Sequence, residues 1–376
     1  MTDKRHRLRM RDAWLQVHLW LGLTLGVVGA LLGISGSLLV YDDVLDGWLH
    51  PARHAITAPA AGPSMPQFAQ RAEETVGPGA RATGVRMPDL EAGPVVVFVR
   101  AQGGSGFQRV YLDPPTARVL DVASGTDFLG WLHNFHGALA LRDSYGREIV
   151  GVAGIAMLIS SLTGLYLWWP RGRWRNAIFG FRRNFPLHRN LHYTFGLWGL
   201  VLLTLLSFTG IVIAFPDASR TVVAAFSNVS PSPRSLQASG AQGKRLDADA
   251  ILRLAQDAMP QATPIGLGFP QGPTGVFRVS LREPGDTTSR SGTAVYLDPV
   301  TGRVLHRTER ATRTAGDGFL LWQRLLHEGG WLGGLGAAVT FAGGILPPLL
   351  MVSGLLMWLR GRRWRAVPAA ATASAD

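Results

Sequence analysis

Residues Ala13–Tyr41 read AWLQVHLWLGLTLGVVGALLGISGSLLVY and contain no Asp, Glu, Lys or Arg. A helix needs about 20 consecutive apolar residues to cross a bilayer, so this stretch is long enough for a membrane span. Three further stretches share the property: Ile149–Trp169, Leu191–Phe215 and Gly329–Leu359. The last is rich in Gly and carries Pro347-Pro348, which predicts a kink or a leading segment that does not span. Basic residues precede Ala13, as in a secretory signal. The apolar core nevertheless far exceeds the roughly 7–15 residues of a signal's hydrophobic region, and no clear small-residue cleavage site follows it. The stretch reads as an uncleaved anchor.

The chain of 376 residues has a formal net charge of +12, an excess that can mark a nucleic-acid-binding protein. Its position argues otherwise. Residues 1–12, 170–190 and 360–376 hold 15 Lys and Arg against Asp3, Asp12 and Asp376, which accounts for the whole excess. Positive segments flanking spans stay in the cytoplasm. The expected order is therefore a cytoplasmic tail (1–12), a span (13–41), an extracytoplasmic domain (42–148), a span (149–169) and a cytoplasmic loop (170–190). A span (191–215), a second extracytoplasmic domain (216–328), a fourth span with a preceding segment (329–359) and a cytoplasmic tail (360–376) complete it. The partner implied is the lipid bilayer, with no role for nucleic acid. The chain contains no Cys, which excludes disulfides, thiolate iron–sulfur clusters, c-type haem attachment and a cysteine nucleophile.

The two halves repeat. LTGLYLWWPRGRWR at Leu162–Arg175 matches VSGLLMWLRGRRWR at Val352–Arg365, and VYLDPPTARVLDV at Val110–Val122 matches VYLDPVTGRVLHR at Val295–Arg307. Each motif has the same place in its half, so the chain reads as a parallel duplication of helix, outer domain and helix. The outer segments predict small α+β modules. Pro94–Arg100 with Phe107–Leu112, and Val276–Leu281 with Thr293–Leu297, are β-rich pairs; an LDP-x-T turn leads each into another short strand. Helical candidates, Pro66–Val76 and Asp247–Met259, precede them. Ser230–Gln242, rich in Ser, Pro and Gly, reads as a linker. The expected fold class is an α-helical membrane bundle of four transmembrane helices carrying two small α+β extracytoplasmic domains.

The repeated VYLDP-x-T-x-RVL segments resemble PepSY modules, and the layout from Val17 to Arg363 is similar to that of the PepSY-associated transmembrane proteins. VHLWLGL at Val17–Leu23, FHGALAL at Phe135–Leu141, NLHYTFGLW at Asn190–Trp198 and LLHEGGWLGGLG at Leu325–Gly336 extend the resemblance. Some members of that family resemble ferric-siderophore reductases carrying two b-type haems. Others are described only through the module's proposed role in binding or inhibiting peptidases.

Among the ten His, His18 lies in the first charge-free stretch, and His188 and His192 flank the start of the third. By the charge rule these three are near the cytoplasmic face, while His133, His136 and His327, ahead of the second and fourth stretches, are near the outer face. Imidazole at a membrane is costly unless partnered and marks metal sites, cofactors or proton relays. Haem iron accepts axial imidazoles, and two per iron suit electron transfer. His18 and His192 occupy corresponding places in the halves, four residues before Gly22 and Gly196, and His136 corresponds to His327. His188 is an alternative to His192, and His133 to His136. The competing reading of all six is interfacial His bonded to water or headgroups.

The expectation is an inner-membrane protein with two haem b groups, held by His18/His192 and His136/His327. It would take electrons from an unidentified donor and, as the resemblance implies, reduce a ferric siderophore or other ferric chelate on the periplasmic side. No catalytic residue is assigned. A haem-free membrane-anchored regulator of an extracytoplasmic peptidase, and an iron or siderophore transporter, are the alternative readings. The absence of acids within the apolar stretches weighs against the transporter.

Overall fold

The computed structural model describes residues 2–57, 62–88, 93–103, 107–124, 127–142, 144–169, 185–230, 236–286 and 292–365. Most of the basic loop expected at 170–190, the tail beyond 365 and residues 231–235 of the expected linker lie outside the described residues. The helices are α1 (Thr2–Leu23), α2 (Leu25–Leu39), α3 (Asp42–Leu49), α4 (Met65–Val76), α5 (Phe128–Ala138), α6 (Gly146–Trp168), α7 (Leu187–Trp198), α8 (Leu200–Ala214), α9 (Pro216–Ala224), α10 (Ala248–Ala258), α11 (Ala315–Glu328) and α12 (Gly333–Arg365). The strands are β1 (Arg81–Arg86), β2 (Val95–Arg100), β3 (Phe107–Leu112), β4 (Val119–Ser124), β5 (Thr263–Gly268), β6 (Phe277–Arg282), β7 (Thr293–Leu297) and β8 (Val304–Thr308). The chain divides into a helical unit, residues 1–41, 132–219 and 322–376, and a sheet unit, residues 42–131 and 220–321.

The helical unit departs from the expected bundle of four continuous spans. Among the described residues two single helices, α6 and the stretch Gly333–Gly361 of α12, are long and apolar enough to cross a membrane. The first and third charge-free stretches are each broken, α1 and α2 meeting at 52° and α7 and α8 at 63°, so the number of spans rises to four only if each bent pair is one span. The breaks have local causes. Thr24 joins α1 to α2 and its hydroxyl donates to the Trp20 carbonyl at 2.7 Å, a back-bond that bends helices. Gly199 joins α7 to α8, and a Cβ there would lie 2.5 Å from Leu346 Cδ1. The kink expected at Pro347-Pro348 does not break α12. There α2 packs at backbone distance: a Cβ on Gly33 would lie 2.4 Å from the Gly344 carbonyl and 3.2 Å from Pro347. Neighbouring helices of this kind let a membrane helix tolerate proline.

The two small α+β domains are likewise corrected. There is one eight-stranded antiparallel sheet, ordered β4-β3-β2-β1-β5-β6-β7-β8. The halves join where β1 pairs with β5, Gly84 opposite Gly268, Val85 opposite Leu267 and Arg86 opposite Gly266. A four-stranded module would leave the N–H and C=O groups of β1 and β5 as open edges, and pairing them removes both edges at once. The duplication persists in detail. Bulges recur at Ala82/Gly84 and Pro264/Gly266, and again at Tyr111/Leu112 and Tyr296/Leu297.

Alternation along the strands explains the core. In β6 (FRVSLR), Phe277, Val279 and Leu281 are buried and Arg278 is exposed. Phe68 and Ala72 of α4 and Ile251 and Ala255 of α10 pack with Val97, Val110, Leu267, Val279 and Val295 in one cluster spanning both halves. Each fully buried side chain of this size contributes about 1.5–3 kcal/mol. Ser64 and Gln67 cap α4 reciprocally, and Asp247 caps α10 by accepting from the Ala250 N–H at 2.6 Å.

The repeated LDP turn explains its own aspartate. Buried Asp298 accepts from the N–H groups of Ser239 (2.7 Å), Val300 (3.0 Å) and Thr301 (2.8 Å). Buried Asp113 accepts from the N–H of Thr57 at 2.9 Å and from the hydroxyls of Thr57 and Thr116. Burial pushes both carboxyls up, but these donors outweigh it and hold both below the ordinary range. The turn needs a left-handed residue, supplied by Gly302 (φ 69°) in one half and by Ala117 (φ 52°) in the other, where it costs about 1 kcal/mol.

On the opposite face, among the described residues only the first half buries an arginine. Arg53, in the 3₁₀ turn Pro51–His54, is 2 % exposed. Its guanidinium donates to Asp46 (2.6 Å), Asp121 (2.6 Å) and Asp127 (3.0 Å) and lies 4.4 Å from the ring centre of Tyr111.

Candidate functional site

Four histidines of the helical unit lie in two pairs. The ring centres of His18 on α1 and His192 on α7 are 6.2 Å apart, with the rings at 88°. Those of His136 on α5 and His327 on α11 are 6.1 Å apart, at 45°. Each pair takes one histidine from each half of the duplication. The two alternatives stand outside the pairs: His188 accepts from Arg360 Nη1 at 3.3 Å, and His133 is exposed.

Every ring is held at Nδ1 by a hydroxyl from another helix. The distances are 3.0 Å from His18 to Thr163 on α6, 3.1 Å from His136 to Ser35 on α2, 3.0 Å from His192 to Ser353 on α12, and 2.9 Å from His327 to Thr209 on α8. In two of the four sites the backbone carbonyl three residues before the hydroxyl also accepts, Leu32 from His136 and Leu350 from His192, each at 3.1 Å. A carbonyl can only accept, so in these two rings Nδ1 carries the proton and Nε2 keeps its lone pair.

A glycine follows each hydroxyl, and its missing side chain makes room for the imidazole. An added Cβ would lie 2.8 Å from His136 Cε1 at Gly36, and 3.2 Å from the Cε1 of His18, His192 and His327 at Gly164, Gly354 and Gly210. Sequence reading missed these Ser/Thr–Gly steps. The available signal was their recurrence once in each charge-free stretch, as ISG, LTG, FTG and VSG.

The pairs lie at different levels of the helices. Ser353 of α12 holds His192, whereas the Phe341 carbonyl of α12 accepts from Ser37, two residues beyond the Ser35 that holds His136. At 1.5 Å per residue the two levels are roughly 18 Å apart along α12. A cavity of about 390 Å³ adjoins the first pair, lined by His18, His192, Gly22, Gly26, Gly164 and Gly196 among mostly apolar side chains, with Arg11 on its wall. That size lies within the range of small-molecule and cofactor sites. Among the described residues no group of three or more His, Asp or Glu side chains is placed to hold a metal ion.

No curated protein matches the chain. The family model of the PepSY-associated TM region matches residues 15–361, and the chain carrying these paired histidines is a member of that membrane-protein family.

Proposed function

We propose that this protein is a di-haem b electron-transfer protein of the bacterial inner membrane that reduces a ferric chelate, a ferric siderophore in the first instance, on the periplasmic side. The observation that carries the reading is the pair of imidazole pairs, each 6.1–6.2 Å between ring centres. A metal–imidazole nitrogen bond is about 2 Å, so a ring-centre separation of about 6 Å would leave room for one metal ion between two imidazoles. Two side chains do not make a binding site for a bare ion, which takes three or four protein ligands. A ligand that would fit two imidazoles beside a glycine-lined, mostly apolar cavity is one that brings further nitrogen donors of its own, as haem does. The chemistry such a cofactor supplies when bound is one-electron transfer.

The chain's own groups have separable roles in this reading. Nε2 of His18 and His192 would hold one haem, and Nε2 of His136 and His327 the other. Gly22, Gly26 and Gly196 remove side chains that would obstruct a flat ligand, and the apolar wall excludes water. Among the described residues Arg11 is the one Lys or Arg on that wall, beside Asp12, and it suits a carboxylate at the ligand's edge. Each electron delivered outside converts Fe(III) in the chelate to Fe(II), a softer ion and a weaker partner for hard oxygen donors. The donor is a quinol or a soluble cytoplasmic reductase. A haem-free peptidase regulator or a transporter leaves both pairs without a role.

The test is the absorption spectrum of the purified protein made with adequate haem supply, oxidised and then reduced with dithionite. A Soret band with sharp reduced α and β bands is expected, at two haems per chain. Their absence would overturn the proposal. Orientation has its own test. The basic excess of 1–12, 170–190 and 360–376 places those segments in the cytoplasm and 42–148 and 216–328 outside. Reporters fused after Pro114 or Asp298 should be active only when they function outside the cytoplasm, and a cytoplasmic signal at either would reverse the assignment.

A further inference from the structure

We infer that the four Ser/Thr–Gly steps are the ligand-positioning elements of the two sites, setting the tautomer and basicity of each histidine; this rests on the haem reading above. The regularity needs a cause. Ser35-Gly36, Thr163-Gly164, Thr209-Gly210 and Ser353-Gly354 lie on four different helices, and each meets one and only one of the paired histidines.

The direction of each hydrogen bond follows from the helix backbone. Ser35, Thr163 and Thr209 donate their hydroxyl protons to the carbonyls of Leu31, Ile159 and Leu205, each at 2.8 Å, and Ser353 donates to that of Leu350 at 3.1 Å. With its proton committed, each hydroxyl oxygen is left as an acceptor. The histidine Nδ1–H therefore donates to that oxygen, and at His136 and His192 also to a carbonyl on the same turn, which fixes the ring and directs Nε2 away from that helix. Donation from Nδ1–H also raises the electron density at Nε2, making it a stronger ligand for ferric iron.

Each half supplies both members of every His–hydroxyl contact it uses. His18 with Thr163 and His136 with Ser35 belong to the first half, and His192 with Ser353 and His327 with Thr209 to the second. Each pair of imidazoles, in contrast, is shared between halves. One half is thus an oriented carrier of two half-sites, and duplication completes both.

The test uses the full-length protein in detergent. Thr163→Val with Ser353→Ala removes both hydroxyls from the first site with little change of shape; Thr163→Ser with Ser353→Thr keeps them. The first double variant should bind haem at that site roughly 10- to 100-fold more weakly and shift its midpoint to higher potential in a redox titration. The second double variant should restore both properties, and the midpoint of the other site should stay unmoved throughout. Ser35→Ala with Thr209→Val should do the converse, which keeps the question open to test if the first set fails to insert. The glycines add a ranking. Gly36→Ala, where the added carbon meets the ring at 2.8 Å, should cost more haem than Gly164→Ala, where the distance is 3.2 Å. A wild-type protein with two haems whose hydroxyl-free variants keep its affinity and potentials would overturn this inference alone. A wild-type protein without haem would overturn it together with the proposed function.

Discussion

If the proposed di-haem reading holds, His192→Ala is expected to lose about half the bound haem, because two imidazoles would serve each iron and the pairs share no residue. The haem that remains should still reduce with dithionite. His327→Ala should give the complementary species. The substitutions act on ligand chemistry, since the rings line sites assembled from several helices and alanine is well tolerated in a helix. Function should respond more steeply than haem content. In vesicles with a reductant inside and a ferric chelate outside, His18→Ala and His136→Ala should each abolish reduction, because the pairs lie roughly 18 Å apart along α12 and neither spans the distance alone. His54→Ala and His306→Ala, which lie in the sheet unit, should leave reduction largely intact in protein of normal abundance. Normal turnover in the His18 variant would remove the first pair from the electron path. Loss of both haems from either single variant, with the protein still folded, would refute two independent sites.

Arg53→Leu is expected to destabilise the sheet unit by about 3–5 kcal/mol, the usual cost of removing one partner from a buried charge cluster. Burial opposes the Arg53 charge, but hydrogen bonds and attraction from Asp121, Asp46 and Asp127 more than offset it and hold the pKa above its ordinary value. Removing the guanidinium leaves three carboxylates around an apolar side chain, with Asp127 still bound to Arg109. The exposed pair Arg71–Glu74 is the contrast, and Arg71→Leu should change stability by no more than about 1 kcal/mol. Thermal melts of the full chain in detergent separate the two. The effect should also depend on pH. Burial pushes the Asp127 carboxyl up, but the Gly130 N–H, Arg109 and Arg53 pull it below its ordinary value. A depressed carboxylate pKa contributes stability above the unfolded-state value that is lost as pH falls through the folded one. The gap between wild type and Arg53→Leu should therefore narrow on acidification into the carboxylate range. A gap that is small at neutral pH, or that widens in acid, would show that the cluster is not held by these charges.

The sequence alone determined the membrane character and the duplication, and it narrowed the candidate pairs to His18 with His192 or His188, and His327 with His136 or His133. These are properties of local composition and of repeat position. Charge-free length reports on partition into a bilayer, and equivalent positions in two copies identify residues that symmetry can bring together. The LDP turns were legible for the same reason, because a turn's donors and acceptors lie within a few residues of it.

Tertiary structure alone decided what depends on segments far apart in the chain. The pairing of β1 with β5 joins residues about 180 positions apart, and Gly84 or Gly268 carries no sign of which edge it will meet. The bends at Thr24 and Gly199 arise from a hydroxyl back-bond and a close approach to Leu346, while Pro347-Pro348, the stronger helix-breaking signal, lies within the unbroken α12 where α2 packs against it. That His192 and not His188 lies beside His18 is decided the same way: one faces the Ser353–Gly354 step of another helix, and the other faces Arg360. Hydrophobic length and repetition are written along one chain segment, but a ligand's orientation is written in the helix beside it, and that neighbour is known only once the chain has packed.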